Sequence, residues 1–151
     1  MSVRFDILTL FPEMIEGMLN QSILKRAIEK KIIEVNIINF RDFSTNKHST
    51  VDDYAYGGGA GMLISVEPIH LAMKTIPNID KAYKILTSPS GNVYNQNKAE
   101  KLSKLDHIVI VCGHYEGIDN RILDYIDEEI SIGDYVLTGG EIPACAIIDS
   151  I

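Results

Sequence analysis

Ile108-Val109-Ile110-Val111-Cys112 is an unbroken apolar run whose first four residues are β-branched. A strand with no polar residue in either alternating register must be covered on both faces, as a central strand of a parallel sheet is. Other segments supply its neighbours. Val3–Leu10 begins with apolar–polar alternation and ends apolar, Glu34–Phe40 alternates, Tyr83–Ser88 reads as a strand, and Ile130–Ile132 as a brief one. Helical spacing separates them. Pro12 permits a helix start, and Met14, Met18, Leu19, Ile23, Leu24 and Ala27 describe one or two short helices. Further helices are expected over Pro68–Lys74, Asn97–Leu105 and Asn120–Ile126, the last capped by Asp119. The apolar run containing Ile151 reads as the opening of another. Strands alternating with helices make this one α/β domain, residues 1–151, around a largely parallel sheet.

Two glycine-rich turns follow strand-like runs about twenty residues apart: Gly113–Arg121 and Ser131–Glu141. Both could line one pocket at the strand ends of a single sheet, where α/β proteins place ligands. Gly113 lets a ligand approach a strand end, and Tyr115 and Glu116 add a flat surface and a carboxylate. Ser88-Pro89-Ser90-Gly91 closes a third strand; a tight turn explains it, and a ligand-facing turn is the alternative. Tyr56-Gly57-Gly58-Gly59-Ala60-Gly61-Met62 fits neither a dinucleotide fingerprint nor a P-loop. A flexible surface loop and a substrate-approach loop both fit it, and Asp52, Asp53 and Tyr54 nearby tilt the balance toward function. Residues 41–62 have no convincing periodicity.

Composition narrows the classes. No apolar stretch approaches the ~20 residues of a membrane span, and the N-terminus lacks the order of a signal peptide, so the expectation is a cytoplasmic chain. Cys112 and Cys145 fit buried small residues in a reducing compartment. His48, His70, His107 and His114 share no metal-ligand spacing; no metal site is expected, and structural or surface roles suit most of them. The net charge is −7. Residues 1–100 carry 11 basic and 11 acidic side chains, so the excess lies in residues 101–151, with 3 basic and 10 acidic. Taken alone, that argues against a nucleic-acid partner. Lys25, Arg26, Lys30 and Lys31, with Arg41 and Lys47 beyond, form the one basic cluster, readable as a solvated face or as an RNA-backbone contact.

In this order, Tyr56–Met62, Ser88–Gly91, Gly113–Arg121 and Ser131–Glu141 closely resemble the bacterial tRNA (guanine-N1)-methyltransferases of the SPOUT class, and the resemblance runs from Phe5 to Ile151. It implies an α/β fold whose parallel sheet, with helices on both faces, is threaded into a deep trefoil knot. It implies S-adenosyl-L-methionine as cofactor, held by Ser88, Pro89, Gly113, Tyr115, Glu116, Ile132, Gly133, Asp134, Tyr135, Val136, Leu137, Gly139 and Gly140. Leu86-Thr87 matches less well than its neighbours. The loop Thr50–Met62 matches the target-base region, which assigns substrate contact to Asp52, Tyr56, Gly57, Gly58 and Gly59. The implied partners are tRNA and a second copy of the chain, with no membrane. The implied reaction moves a methyl group to N1 of the guanosine 3′ of the anticodon. It needs a carboxylate base and a cation near O6. The resemblance places that Asp and Arg, with a tRNA-binding domain, beyond Ile151, so no catalytic residue is expected within 1–151. The isolated chain is expected to bind cofactor but be inactive or nearly so. A related SPOUT ribose 2′-O-methyltransferase and a non-catalytic nucleotide-binding module are the competing readings. The Gly57–Gly61 loop and the Gly113–Arg121 run disfavour the first.

Overall fold

Two apolar layers form on opposite sides of one sheet because strand residues alternate between its faces. The computed structural model describes residues 2–44, 52–54, 62–113 and 118–151. Its strands are β1 (Val3–Thr9), β2 (Ile33–Asn39), β3 (Asp52–Tyr54), β4 (Met62–Ile64), β5 (Tyr83–Val93), β6 (His107–Cys112) and β7 (Glu128–Ser131). Its α-helices are α1 (Pro12–Leu19), α2 (Ser22–Glu29), α3 (Val66–Lys74), α4 (Gln96–Leu102) and α5 (Glu141–Ser150). Five strands make a sheet in the order β2-β1-β6-β5-β7, and every pairing in it is parallel. Chain order and spatial order differ because parallel neighbours need crossover connections, which the helices provide.

Leu8, Leu86, Val109 and Val111 face one side, where Phe40 and the α3 residues Ile69, Ala72 and Met73 cover them. Phe5, Ile7, Ile85, Ile108, Ile110 and Ile130 face the other, against Ile15 and Leu19 of α1, Leu102 of α4 and Ile147 and Ile148 of α5. The run Ile108–Cys112 is buried throughout, as its lack of polar residues requires. The fold is therefore α/β, with a parallel sheet covered by helices on both faces.

Some elements depart from the sequence expectation. The early helical segment is two helices, broken at Asn20–Gln21, with Ser22 at φ 51. Asp119 does cap the next turn, accepting the Arg121 N–H at 3.0 Å, but Asn120–Tyr125 is 3-10 rather than α. Within 41–62, β3 and β4 pair antiparallel; strands of three residues are too short to register as periodicity. Ser88–Gly91 makes the expected turn without ending its strand. Thr87 and Asn92 are both paired with Ile130, so the four residues between them loop out of the ladder and β5 continues to Val93. Pro89 has no N–H for the ladder. A Cβ on Gly91 would lie 2.5 Å from the Glu129 carbonyl carbon, so only glycine passes there.

A polar group is built into the sheet near the start of β6. Asp6 is fully buried; it accepts from Arg4 Nε at 2.9 Å and from Asn36 Nδ2 at 2.9 Å, and His107 Nε2 lies 2.5 Å from its carboxylate. Burial pushes the Asp6 carboxyl up, and the bonds from Arg4, Asn36 and His107 together outweigh it and hold it below its ordinary value. His107 thus has the structural role expected of it, and His70 stacks near Tyr125 at 4.5 Å between ring centroids. His48 and His114 lie outside the described residues. The thiols of Cys112 and Cys145 are free. Among the described residues no helix is long and apolar enough to cross a membrane.

Candidate functional site: a glycine-walled cavity at the strand ends

The bulge within β5 and the C-terminal ends of β6 and β7 open into one cavity of about 820 Å³. Parallel strands end on the same side of a sheet, so the turns after β6 and β7 converge there with the β5 bulge beside them, without any sequence proximity. Leu86 to Ser90 form one wall, Gly113 lies at the end of β6, and Ser131–Gly133 with Tyr135–Gly140 form the opposite wall. Ile118 and Leu123 close one side and Pro143, from the first turn of α5, another.

Backbone approach sets the shape of the site. The Gly140 N–H donates to the Gly113 carbonyl at 2.7 Å, which fastens the start of α5 to the end of β6. The buried Thr87 hydroxyl lies 3.2 Å from the Gly140 carbonyl oxygen and 3.3 Å from that of Val111, so it can donate to either. A Cβ on Gly140 would sit 2.0 Å from Thr87 Oγ1, 2.9 Å from the Gly113 nitrogen and 3.0 Å from the Cys112 Cα. No side chain fits, although Gly140 has an ordinary φ of −89°. The Ser131 hydroxyl donates to the Gly133 carbonyl at 2.9 Å and lies 3.2 Å from the Gly133 nitrogen, closing that turn on itself.

Of the residues expected to hold a cofactor, Ser88, Pro89, Gly113, Ile132, Gly133, Tyr135, Val136, Leu137, Gly139 and Gly140 all line this cavity. Asp134 does not; it is exposed beside the lining residues. Tyr115 and Glu116 lie outside the described residues, as do Tyr56, Gly57, Gly58 and Gly59. Asp52 lies in β3, which pairs with β4. β4 reaches the site: Ile64 bridges to the wall residue Ile118, and its carbonyl accepts the Asp119 N–H at 3.0 Å. The Asp119 carboxyl is held down at about 2 by its bonds from Arg121, whose Nη2 lies 2.6 Å away.

Sequence reading missed several lining residues. Thr87 belongs to the stretch that resembled the family least, yet its hydroxyl lies within reach of the Gly140 and Val111 carbonyls; a polar residue after an apolar run was its one signal. Glu129 is the one acidic residue among the described lining residues. Ile118, Leu123 and Pro143 carried no signal, because nothing local distinguishes a wall residue from a core residue. Among the described residues no group of three or more His, Cys, Asp or Glu could hold a metal ion.

Known proteins resemble the chain over nearly its whole length. The family model described as tRNA (Guanine-1)-methyltransferase TrmD matches residues 3–151. A tRNA (guanine-N(1)-)-methyltransferase of Clostridioides difficile (strain 630) is 56% identical over 153 residues, covering 99% of this chain and 66% of that protein. Its counterpart in Metamycoplasma arthritidis (strain 158L3-1) is 52% identical over 149 residues, covering 99% and 64%. The crystal structure of tRNA (m1G37) methyltransferase from Aquifex aeolicus superposes with a TM-score of 0.90 at 42% identity, covering 99% of this chain and 68% of that one. The chain thus spans about two thirds or less of the length of these curated relatives. With a family model matching residues 3–151 and relatives 52% and 56% identical over 99% of its length, the chain belongs to the tRNA (guanine-1)-methyltransferase family.

Proposed function

We propose that this chain is the S-adenosyl-L-methionine-binding domain of a tRNA (guanine-N1)-methyltransferase acting on the guanosine 3′ of the anticodon. The observation that carries the reading is the cavity whose walls, at Gly113 and Gly140, are bare backbone at parallel strand ends. About 820 Å³ is the size of a pocket for a nucleoside-sized ligand. Its lining pairs half-buried apolar Ile132 and Leu137 with backbone N–H and C=O groups, which suits an adenine ring and its polar edge. Bound there, the cofactor would supply an electrophilic methyl group on a sulfonium centre. Ser88, Pro89, Gly113, Ile132, Gly133, Tyr135, Val136, Leu137, Gly139 and Gly140 would hold it, with Tyr115, Glu116 and Asp134 beside them.

This chain's own residues bind and orient. The loop containing Asp52, Tyr56, Gly57, Gly58 and Gly59 would meet the target base, since β4 joins the cavity wall through Ile64 and Ile118. N1 of guanine carries a proton, so methylation needs a base to remove it, worth about 10²–10⁴-fold. On the family resemblance, the Asp base and the Arg would come from a segment outside residues 1–151. The same reading includes the trefoil knot, a cytoplasmic location and a homodimer. Met14 of α1 and Ile142 of α5, 47% and 52% exposed, offer apolar surface for a second copy.

Calorimetric titration with S-adenosylhomocysteine tests the cofactor assignment, and micromolar binding is expected. Folded protein that takes up no ligand would sink it. Methyl transfer by the chain extended with the C-terminal segment should be lost on transcripts whose target guanosine is replaced; undiminished transfer refutes the N1 assignment.

A further inference from the structure

Glu129 is the one charged residue among the described residues that line the large cavity. It is half-buried, and among the described residues no hydrogen bond or ion pair engages its side chain. Its neighbour Glu128 differs. Glu128 accepts from the Tyr83 hydroxyl at 2.7 Å and pairs with Lys98 Nζ of α4 at 2.8 Å. Successive strand residues point to opposite faces, so the two glutamates serve different sides of the sheet. Ile130, on the face of Glu128, packs in the layer with Leu102 of α4 and Ile147 of α5. Glu129 shares the other face with its ladder partner Leu86, which packs with Ile122 in the layer under α3.

The basic residues of the elements around it are engaged elsewhere. Lys84 of β5 donates to the Ala82 carbonyl at 3.0 Å and lies 3.9 Å from Asp127 Oδ2. Arg121, in the 3-10 turn Asn120–Tyr125, donates from Nη2 to Asp119 at 2.6 Å. A carboxylate in a largely enclosed cavity with no cation beside it is costly once water is displaced, and a ligand that carries positive charge removes that cost. Position selects the part of the ligand. Ile132 and Leu137 suit the adenine ring, which directs the rest of the cofactor toward Leu123, Ile118 and Glu129. Ile118 is also where β4 joins the wall, on the side from which the target base would come. The sulfonium carries the methyl group, so it must lie on that side too.

We propose that the Glu129 carboxylate faces the sulfonium of S-adenosylmethionine and so distinguishes it from S-adenosylhomocysteine, whose thioether is neutral. The proposal rests on the cavity being the cofactor site. Its test is calorimetric titration of the whole chain and two variants with three ligands: S-adenosylmethionine, S-adenosylhomocysteine, and methylthioadenosine, which lacks both the sulfonium and the amino-acid group. Glu129→Gln keeps the size and removes the charge, so S-adenosylmethionine affinity should fall about tenfold while the other two ligands stay within about twofold. Glu129→Asp keeps the charge on a shorter arm and should lose less than Glu129→Gln. In the parent, raising salt from about 0.05 to 0.5 M should weaken S-adenosylmethionine more than S-adenosylhomocysteine. That measurement decides the matter if Glu129→Gln does not fold, and an equal salt effect on both ligands overturns the proposal. So does a Glu129→Gln protein that loses both ligands equally, that loses neither, or that loses methylthioadenosine as well, which would assign the carboxylate to the ribose. A parent that binds none of the three refutes the cofactor reading and the proposal together; a parent that binds them, with the same preference in Glu129→Gln, refutes the proposal alone.

Discussion

Gly140→Ala is the smallest change that should damage the site, and its cost can be worked from three contacts. The added methyl would meet Thr87 Oγ1 at 2.0 Å, the Gly113 nitrogen at 2.9 Å and the Cys112 Cα at 3.0 Å. Thr87 can rotate away, but its buried hydroxyl then gives up both the Gly140 and Val111 carbonyls. The two backbone contacts cannot rotate away, so the start of α5 must move outward and stretch the 2.7 Å bond from Gly140 to Gly113. Overpacking costs about 1–3 kcal/mol and a weakened buried hydrogen bond about 1 more, so ~3 kcal/mol is expected. For a domain of this size that lowers the melting temperature by about 6–12 °C and leaves it folded at 25 °C. Thermal denaturation followed by circular dichroism reads the first effect, and titration with S-adenosylhomocysteine should give an affinity at least about tenfold lower. Thr87→Ala removes the nearest obstacle, so adding it to Gly140→Ala should cost less than the two single losses summed. A Gly140→Ala protein with unchanged melting and affinity would refute the steric reasoning, and strict additivity would refute the role given to Thr87.

Three further outcomes follow from the same contacts. Because the folded protein holds the Asp6 carboxyl below its ordinary value, that residue's contribution is present above pH ~4 and is lost as pH falls through the folded value. Asp6→Asn should cost about 3 kcal/mol at pH 7, near the low end for a broken buried pair because Arg4 is partly exposed, and less at pH 3; chemical denaturation at both pH values checks this. Gly91→Ala places a methyl 2.5 Å from the Glu129 backbone, which cannot yield as a side chain can, so a loss of about 3 kcal/mol should appear in urea unfolding. Tyr135→Ala removes a ring that is 52% exposed and lines the cavity, so melting should hardly change while S-adenosylhomocysteine affinity falls about tenfold; equal affinity would place the ligand elsewhere.

Much of the site was legible because its turns announce themselves. Gly113 directly follows an apolar strand, and Gly139-Gly140 closes a turn just before a helix. The Tyr115–Glu116 and Tyr56–Gly59 assignments fall outside the described residues and stand on resemblance alone. Ser88–Gly91 was read as the end of a strand because Pro and Gly interrupt ladders; that the chain rejoins β7 beyond them depends on a partner some forty residues away. Thr87 and Glu129 drew little notice, since a single polar residue beside an apolar run has no periodicity of its own.

By itself the sequence determined the class and the kin of this protein. The doubly covered run Ile108–Cys112 demands a parallel sheet with helices on both faces, and four ordered motifs identify the family. Tertiary structure alone decided how the ends of that sheet become a cavity. Thr87 meets Gly140 across 53 positions, and Gly140 reaches back to Gly113. Periodicity reports which face of an element is buried, through neighbours two to four residues apart. It says nothing of which two backbones will pass within 3 Å, and that close passage is why Gly140 must lack a side chain.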